Sequence, residues 1–162
     1  MPLVPSSRRG DGEFRAGVEQ FREFYGAVIV ISSENVETVR EALEAMNARD
    51  IDRYLTCCTD DVQLVPPTSA IEGTFDGPDG IRRYFADIED VAPDFRLDAA
   101  SIEAVDENRV IAFLRVTFSG RSSGVPGDLP VTSIYDLADG RISLIRVFLD
   151  REMALKAVGR RK

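Results

Sequence analysis

The chain has 162 residues, with 20 basic and 28 acidic side chains, a formal net charge of −8, two cysteines, no tryptophan and no histidine. The absence of imidazole excludes a Ser-His-Asp triad, a Cys-His dyad and a histidine-ligated metal. The acidic balance argues against a nucleic-acid partner, since phosphate backbones are bound by clustered Lys and Arg, and the length suits a single domain.

The beginning of the chain differs from the rest in charge. Arginines balance the acidic residues through residue 33, so the net charge of −8 belongs to the residues that follow. We interpret residues 1–33 as an N-terminal extension that is partly helical or loosely ordered, and residues 34–162 as one domain. The helical interpretation rests on apolar side chains at helical spacing, namely Phe14, Val18, Phe21, Tyr25 and Val28.

The sequence contains no pattern typical of an export signal or a membrane span. Cys57 and Cys58 are adjacent, which would strain a disulfide between them, so we expect two reduced thiols. These features predict a cytoplasmic protein with no membrane partner. The residue types present also predict no cofactor and no metal site.

Three helices are predicted in the first half of the domain, because apolar residues recur there at helical spacing. Asp50 caps the second helix, Pro78 lies in the first turn of the third, and a strand over residues 62–65 ends at Pro66-Pro67. The apolar faces consist of Val36, Val39, Leu43 and Met46, then Ile51, Tyr54, Leu55 and Cys58, then Ile81, Tyr84, Phe85 and Ile88.

Alternating segments follow, over residues 95–105, 109–119, 129–137 and 141–149, and they predict an antiparallel meander. Asp139-Gly140 is typical of a two-residue hairpin turn, and Asp150 caps a last helix. The order of elements predicts an α+β fold in which a long, strongly curved antiparallel sheet packs on three to four helices. A cleft between the helices and the curved sheet is the expected place for a small ligand.

Three segments of the chain carry a family resemblance. They are residues 35–52, with the run Asn47-Ala48-Arg49-Asp50, residues 60–67, and residues 139–152. In order and spacing they resemble the SnoaL-like branch of the nuclear transport factor two-like superfamily, over residues 35 to about 159. The resemblance implies a cone-shaped fold that encloses a pocket, in a homodimer built on the convex face of the sheet. Its members include ketosteroid isomerases, limonene epoxide hydrolases and polyketide cyclases.

The hairpin turn predicts which side chains share a face of the last two strands. If Ala138 pairs with Arg141, counting outward places Asp136 opposite Ser143 and Thr132 opposite Val147. We expect one face to form the pocket wall and the other, with Tyr135, Arg146 and Phe148, to form the dimer surface.

The catalytic groups of two relatives are missing at the positions that the resemblance assigns to them. Ala42, Pro66 and Thr132 stand where a ketosteroid isomerase would have its tyrosine, base and second acid. Thr117 and Val147 stand where a limonene epoxide hydrolase would have its two aspartates. Neither reaction is therefore expected.

The predicted pocket residues are Arg115, Thr117, Thr132, Tyr54, Tyr84 and Val147. Arg115 either binds a carboxylate or enolate oxygen or forms a structural ion pair with an acid of the domain. Asp136 is the one carboxylate expected on the pocket face of the last two strands, and a solvated surface role is favoured for it. We predict a protein that binds a small, largely apolar molecule; the alternatives are a non-catalytic dimerisation module and a cyclase- or isomerase-like enzyme.

Overall fold

The computed structural model describes residues 33–119 and 126–159. The predicted extension, residues 1–33, lies outside this part except for its last residue, and so does its proposed helix. These described residues form five helices, α1 (residues 33–47), α2 (Ile51–Thr56), α3 (Ser69–Glu72), α4 (Gly77–Val91) and α5 (Arg151–Ala157). The strands are β1 (Cys58–Val65), β2 (Phe75–Asp76), β3 (Arg96–Asp106), β4 (Arg109–Ser119), β5 (Pro126–Ala138) and β6 (Arg141–Phe148).

The strands form one curved, unclosed six-stranded sheet in the order β2-β1-β6-β5-β4-β3. The predicted meander of β3 to β6 is antiparallel throughout. β1 joins the meander at its other side and lies parallel to β6. Parallel neighbours need a long crossover, and here the whole segment between the two strands provides it.

Local signals place the helix ends and the last hairpin as predicted. The Asp50 carboxylate accepts a hydrogen bond from the backbone N–H of Arg53, and Asp150 caps α5 in the same way. Asp139 and Gly140 have positive φ values of 53° and 79°, which is the conformation that a two-residue hairpin turn requires. Cys58 was predicted on the second helix, but it is the first residue of β1. The short α3 and β2 were not predicted.

Two separate apolar cores lie on the two faces of the sheet. The larger core joins α1, α2 and α4 to the concave face, with Val39, Tyr54 and Phe85 packed in one cluster with strand residues such as Leu114. The smaller core lies on the convex face, where Ala154 of α5 packs with Ile111 and Ile134. The chain's own last helix therefore covers part of the face that the sequence assigned to a dimer partner.

A β-bulge changes the predicted register of the last hairpin. Ala138 pairs with Arg141 as expected, but Asp136 lies opposite Leu144 rather than Ser143. Ser143 is the extra residue, and its hydroxyl donates to the Asp136 carbonyl at 3.2 Å. Beyond the bulge, each β5 residue therefore pairs with a β6 residue one position further along than the hairpin count gave. Because side chains alternate between the two faces, residues that the count placed on one face lie on opposite faces. The predicted face of β5 was wrong for this reason.

Within residues 33–119 and 126–159, every helix is too short or too polar to be a membrane-spanning segment.

Candidate functional site

A cavity of about 270 Å³ lies between the helices and the concave face of the sheet. Its volume lies just below the range of about 300–1,000 Å³ that is usual for small-molecule sites. Among the residues that the structure describes, the lining is apolar apart from four hydroxyl groups. The apolar members are Leu43, Met46, Leu64, Pro67, Phe95, Leu97, Leu114, Val116, Phe118, Leu129, Val131, Ile145, Val147 and Leu149, and the hydroxyl groups belong to Tyr54, Tyr84, Ser133 and Tyr135.

Aromatic packing orients the two tyrosines that reach the cavity from the helices. The Tyr54 ring of α2 meets the Phe85 ring edge to face, with 5.1 Å between ring centroids. The Tyr84 ring of α4 meets Phe75 in the same manner at 5.1 Å. Such pairs favour a defined ring orientation, so both phenol groups are presented to the cavity by packed rather than free side chains.

The tyrosine hydroxyls of the cavity stay protonated at neutral pH. Burial raises the pKa of Tyr84 to about 12 and, with smaller effects from neighbouring groups, raises the pKa of Tyr54 well above its usual value. Burial also raises the pKa of Tyr135, against the weaker opposing effect of its hydrogen bond with Ser133. These phenols can donate or accept hydrogen bonds, but they do not act as bases near pH 7.

The described residues around the cavity are poorly suited to acid-base or nucleophilic catalysis. None of the described residues that line it is acidic or basic. The neighbouring Cys58 thiol donates to the Tyr54 carbonyl at 3.5 Å, and burial raises its pKa to about 12. Burial also raises the pKa of Cys57. Because the thiolate is the reactive form of cysteine, neither thiol is activated as a nucleophile.

The structure separates the predicted pocket residues into two groups. Tyr54, Tyr84 and Val147 line the cavity. Arg115 and Thr117 of β4 lie on the convex face, as does Thr132 of β5, because each alternates with the cavity-lining residues of its strand. The pairing of Phe113 with Thr132 puts these β4 and β5 residues on one common face, as expected, but it is the face opposite the cavity.

Arg115 forms a surface ion pair with Asp128, and both side chains are more than half exposed. This is the structural role that the sequence left open as the alternative to ligand binding. An exposed pair of this kind contributes little to stability. The expectation that the guanidinium of Arg115 points into the cavity was therefore wrong.

Asp136 also lies on the convex face rather than the pocket face. Its carboxylate accepts from Arg109 Nε at 3.0 Å and lies 3.6 Å from Arg146 Nη2. Two guanidinium groups hold it as an ionic cluster away from the cavity. Tyr135, which the sequence assigned to a dimer surface, is instead 3% exposed and lines the cavity.

Two residues of the Asn47-Ala48-Arg49-Asp50 run fix the start of β3, which forms one wall of the cavity. The Asn47 amide donates to the Leu97 carbonyl and accepts from the Leu97 N–H, both at 2.8 Å. The Arg49 guanidinium donates to the carbonyls of Pro93 and Phe95, at 2.9 and 2.6 Å. These bonds tie α1 to the segment that carries Phe95 and Leu97.

Ser133 and Tyr135 were missed as cavity residues. A feature of β4 identifies them, namely the apolar residues that alternate with Arg109 and Arg115. Val110, Ala112, Leu114 and Val116 form an unbroken apolar stripe, and all four are buried. Their partners on β5 include Tyr135 and Ser133, so the stripe without charges marks the cavity side of both strands.

Comparison with known proteins gives a family match and a set of similar folds. The sequence profile of the SnoaL-like domain matches residues 39–145. No curated protein sequence matches the chain. A nuclear transport factor 2-like protein of unknown function from Burkholderia pseudomallei is 20% identical, with a TM-score of 0.66 over 77% of this chain and 97% of that chain.

Two further solved structures resemble the chain at similar levels. A protein from Jannaschia sp. described as a SnoaL-like polyketide cyclase is 20% identical, with a TM-score of 0.65 over 80% of this chain and 94% of that chain. TerC, which was co-crystallised with polyporic acid, is 21% identical, with a TM-score of 0.65 over 78% of this chain and 98% of that chain. At these identities the likeness concerns the fold.

Proposed function

Because the chain belongs to the SnoaL-like domain family, we propose that it binds a small, largely apolar and uncharged molecule in the concave cavity. The observation that carries this proposal is the 270 Å³ space whose polar lining consists of hydroxyl groups. A carbonyl or hydroxyl of the ligand would pair with the phenols of Tyr54, Tyr84 and Tyr135 or with the Ser133 hydroxyl. The apolar walls would cover the rest of the molecule.

The charge of the ligand is inferred from the residues that line the cavity. Transfer of a carboxylate from water into a cavity without a cation is costly, and the described lining residues include no lysine or arginine. A neutral carbonyl has a much smaller desolvation penalty, and a protonated phenol offsets it with a hydrogen bond. We therefore infer that the cavity prefers neutral ketones, quinones or phenols to carboxylates.

The tyrosines offer a direct measurement of binding. The chain has no tryptophan and four tyrosines, and three of them line the cavity, so ligand contact should quench most of the tyrosine emission. We expect saturable quenching by phenyl ketones such as acetophenone and hexanophenone. Polyporic acid, the compound in the TerC crystal, is a further probe, and sodium benzoate is the charged comparison.

A cavity-filling variant tests where the ligand binds. Val131→Phe, on β5, places a larger side chain inside the cavity and should lower the affinity for hexanophenone at least tenfold. Overpacking costs about 1–3 kcal/mol of stability, so folding is checked by thermal unfolding. Arg115→Ala, on the opposite face, is the matched control and should bind as the wild type does. Equal affinity in Val131→Phe and the wild type would exclude the cavity as the binding place.

The alternative functions predict different results. A non-catalytic dimerisation module with a packed core would show no saturable quenching by any of these probes. A cyclase- or isomerase-like enzyme needs a proton acceptor near its substrate, and none of the described lining residues is a carboxylate. Binding without proton transfer is the function that the lining favours.

We also propose that the protein is a homodimer, with α5 as part of the interface. A dimer built on the convex face around Ile111 and Ile134 would include α5, because this helix packs on both residues. Met153 of α5 is 58% exposed and is the apolar side chain that we assign to the contact. Met153→Glu should weaken the dimer at least tenfold in sedimentation equilibrium. A wild-type monomer at micromolar concentration would contradict the proposal.

A further inference from the structure

Two phenylalanine residues are shared between the cavity and a second space at the surface. This outer groove has a volume of about 540 Å³ and lies beside the end of α4. Phe95 and Phe118 line both the cavity and the outer groove. The groove is lined by the apolar residues Ile88, Val91 and Ala92 and, unlike the cavity, also by three carboxylates, those of Glu72, Asp87 and Asp90.

Phe118 rests on a glycine of the neighbouring strand. Phe118 of β4 pairs with Gly127 of β5, and the ring lies directly above the glycine. A Cβ at position 127 would overlap the ring atom Cζ and lie 2.5 Å from Cε1. Any larger residue at 127 would therefore push the ring away from the strand.

Phe95 is held by Arg49, and the segments that carry Phe95 and Phe118 are joined by a hydrogen bond. Arg49 donates to the Phe95 carbonyl at 2.6 Å, and its guanidinium carbon lies 5.8 Å from the centroid of the Phe95 ring. The residues next in sequence are joined as well, since the Ser119 N–H donates to Asp94 Oδ1 at 2.9 Å. The segments that carry Phe95 and Phe118 are thus joined by a hydrogen bond, and the Phe118 ring packs on Gly127.

We propose that Phe118 is a specificity-determining residue that limits the length of the ligand. The ring closes the cavity toward the outer groove, so a bound molecule must end there. Removal of the ring would join the two spaces and let an elongated ligand extend over Ile88 and Val91. This inference rests on the proposed binding function, and it adds the statement that the wild-type ligand is short.

The test compares two ketones that share a head group and differ in length. Dissociation constants for hexanophenone and decanophenone are measured by tyrosine quenching on the full chain. Phe118→Ala should raise the affinity for decanophenone relative to hexanophenone at least tenfold over the wild-type ratio, which is the effect of roughly two methylene groups leaving water. Phe118→Leu is the milder variant and should move the ratio in the same direction if the alanine variant does not fold.

Leu129→Ala is the matched control, because Leu129 lines the cavity but not the outer groove. It enlarges the cavity without joining it to the groove, so the ratio should change far less than in Phe118→Ala. An unchanged ratio in both Phe118 variants, with normal hexanophenone binding, would overturn the length limit alone. Absence of ketone binding in the wild type would instead contradict the proposed function.

Discussion

Gly80→Ala is expected to lower the free energy of unfolding by about 2 kcal/mol, although alanine is the better helix former by about 1 kcal/mol. Gly80 is buried near the start of α4, which directly follows β2 in the chain. A Cβ at this position would lie 2.6 Å from the carbonyl carbon and 3.1 Å from the Cα of Phe75. Both are backbone atoms, so relief requires movement of a strand rather than rotation of a side chain.

Urea unfolding of the purified variants measures this effect. Ala86→Gly is the matched control, because Ala86 is exposed on the same helix and its replacement should cost only the helix propensity difference of about 1 kcal/mol. A Gly80→Ala variant as stable as the wild type would mean that α4 and β2 are not packed as closely as described.

Asn47→Ala is expected to lower the free energy of unfolding by about 2 kcal/mol and to weaken ketone binding. The variant loses two hydrogen bonds to the backbone of Leu97, each with a net contribution of about 1 kcal/mol. Because Leu97 lines the cavity, loosening the start of β3 should also disturb the binding wall. Unfolding in urea and tyrosine quenching by hexanophenone measure the two effects on the same preparation.

Glu37→Ala is the control on the same helix. Glu37 forms an exposed pair with Arg40, and surface pairs of this kind contribute between zero and about 1 kcal/mol. It should leave both stability and binding nearly unchanged. If Asn47→Ala lost stability but bound hexanophenone as tightly as the wild type, the Asn47 bonds would support the fold without shaping the cavity.

Much of the fold could be predicted because its signals are local. Asp50 and Asp150 identify helix starts through the capping bond that their carboxylates accept. Asp139-Gly140 identifies the last hairpin because two consecutive positive φ values favour asparagine, aspartate and glycine. The bounds of β4 agree with the prediction to the residue. Each of these signals acts within a few residues of chain.

The site could be predicted only in part, because the faces of the sheet depend on contacts distant in sequence. Tyr54 and Tyr84 lie on helical stripes that must face the sheet, and both line the cavity. Arg115 and Thr132 were assigned to the wrong face, since the alternating pattern alone does not say which side the helices cover. The bulge at Ser143 then shifted the register by which the faces were counted.

The amino-acid sequence alone is enough to identify the family, the order of the elements, the helix caps, the hairpin turn and the absence of imidazole chemistry. These follow from residue types and short spacings that act before the chain is packed. The faces that the helices cover become apparent only in the folded chain, where α1, α2 and α4 pack on the side of Tyr135 and α5 packs on the side of Thr132. Both faces of the sheet are partly apolar, so the face on which these helices pack depends on contacts between residues distant in sequence. As a result the cavity is neutral and lined with phenols, and it does not contain the Arg115 cation that we expected.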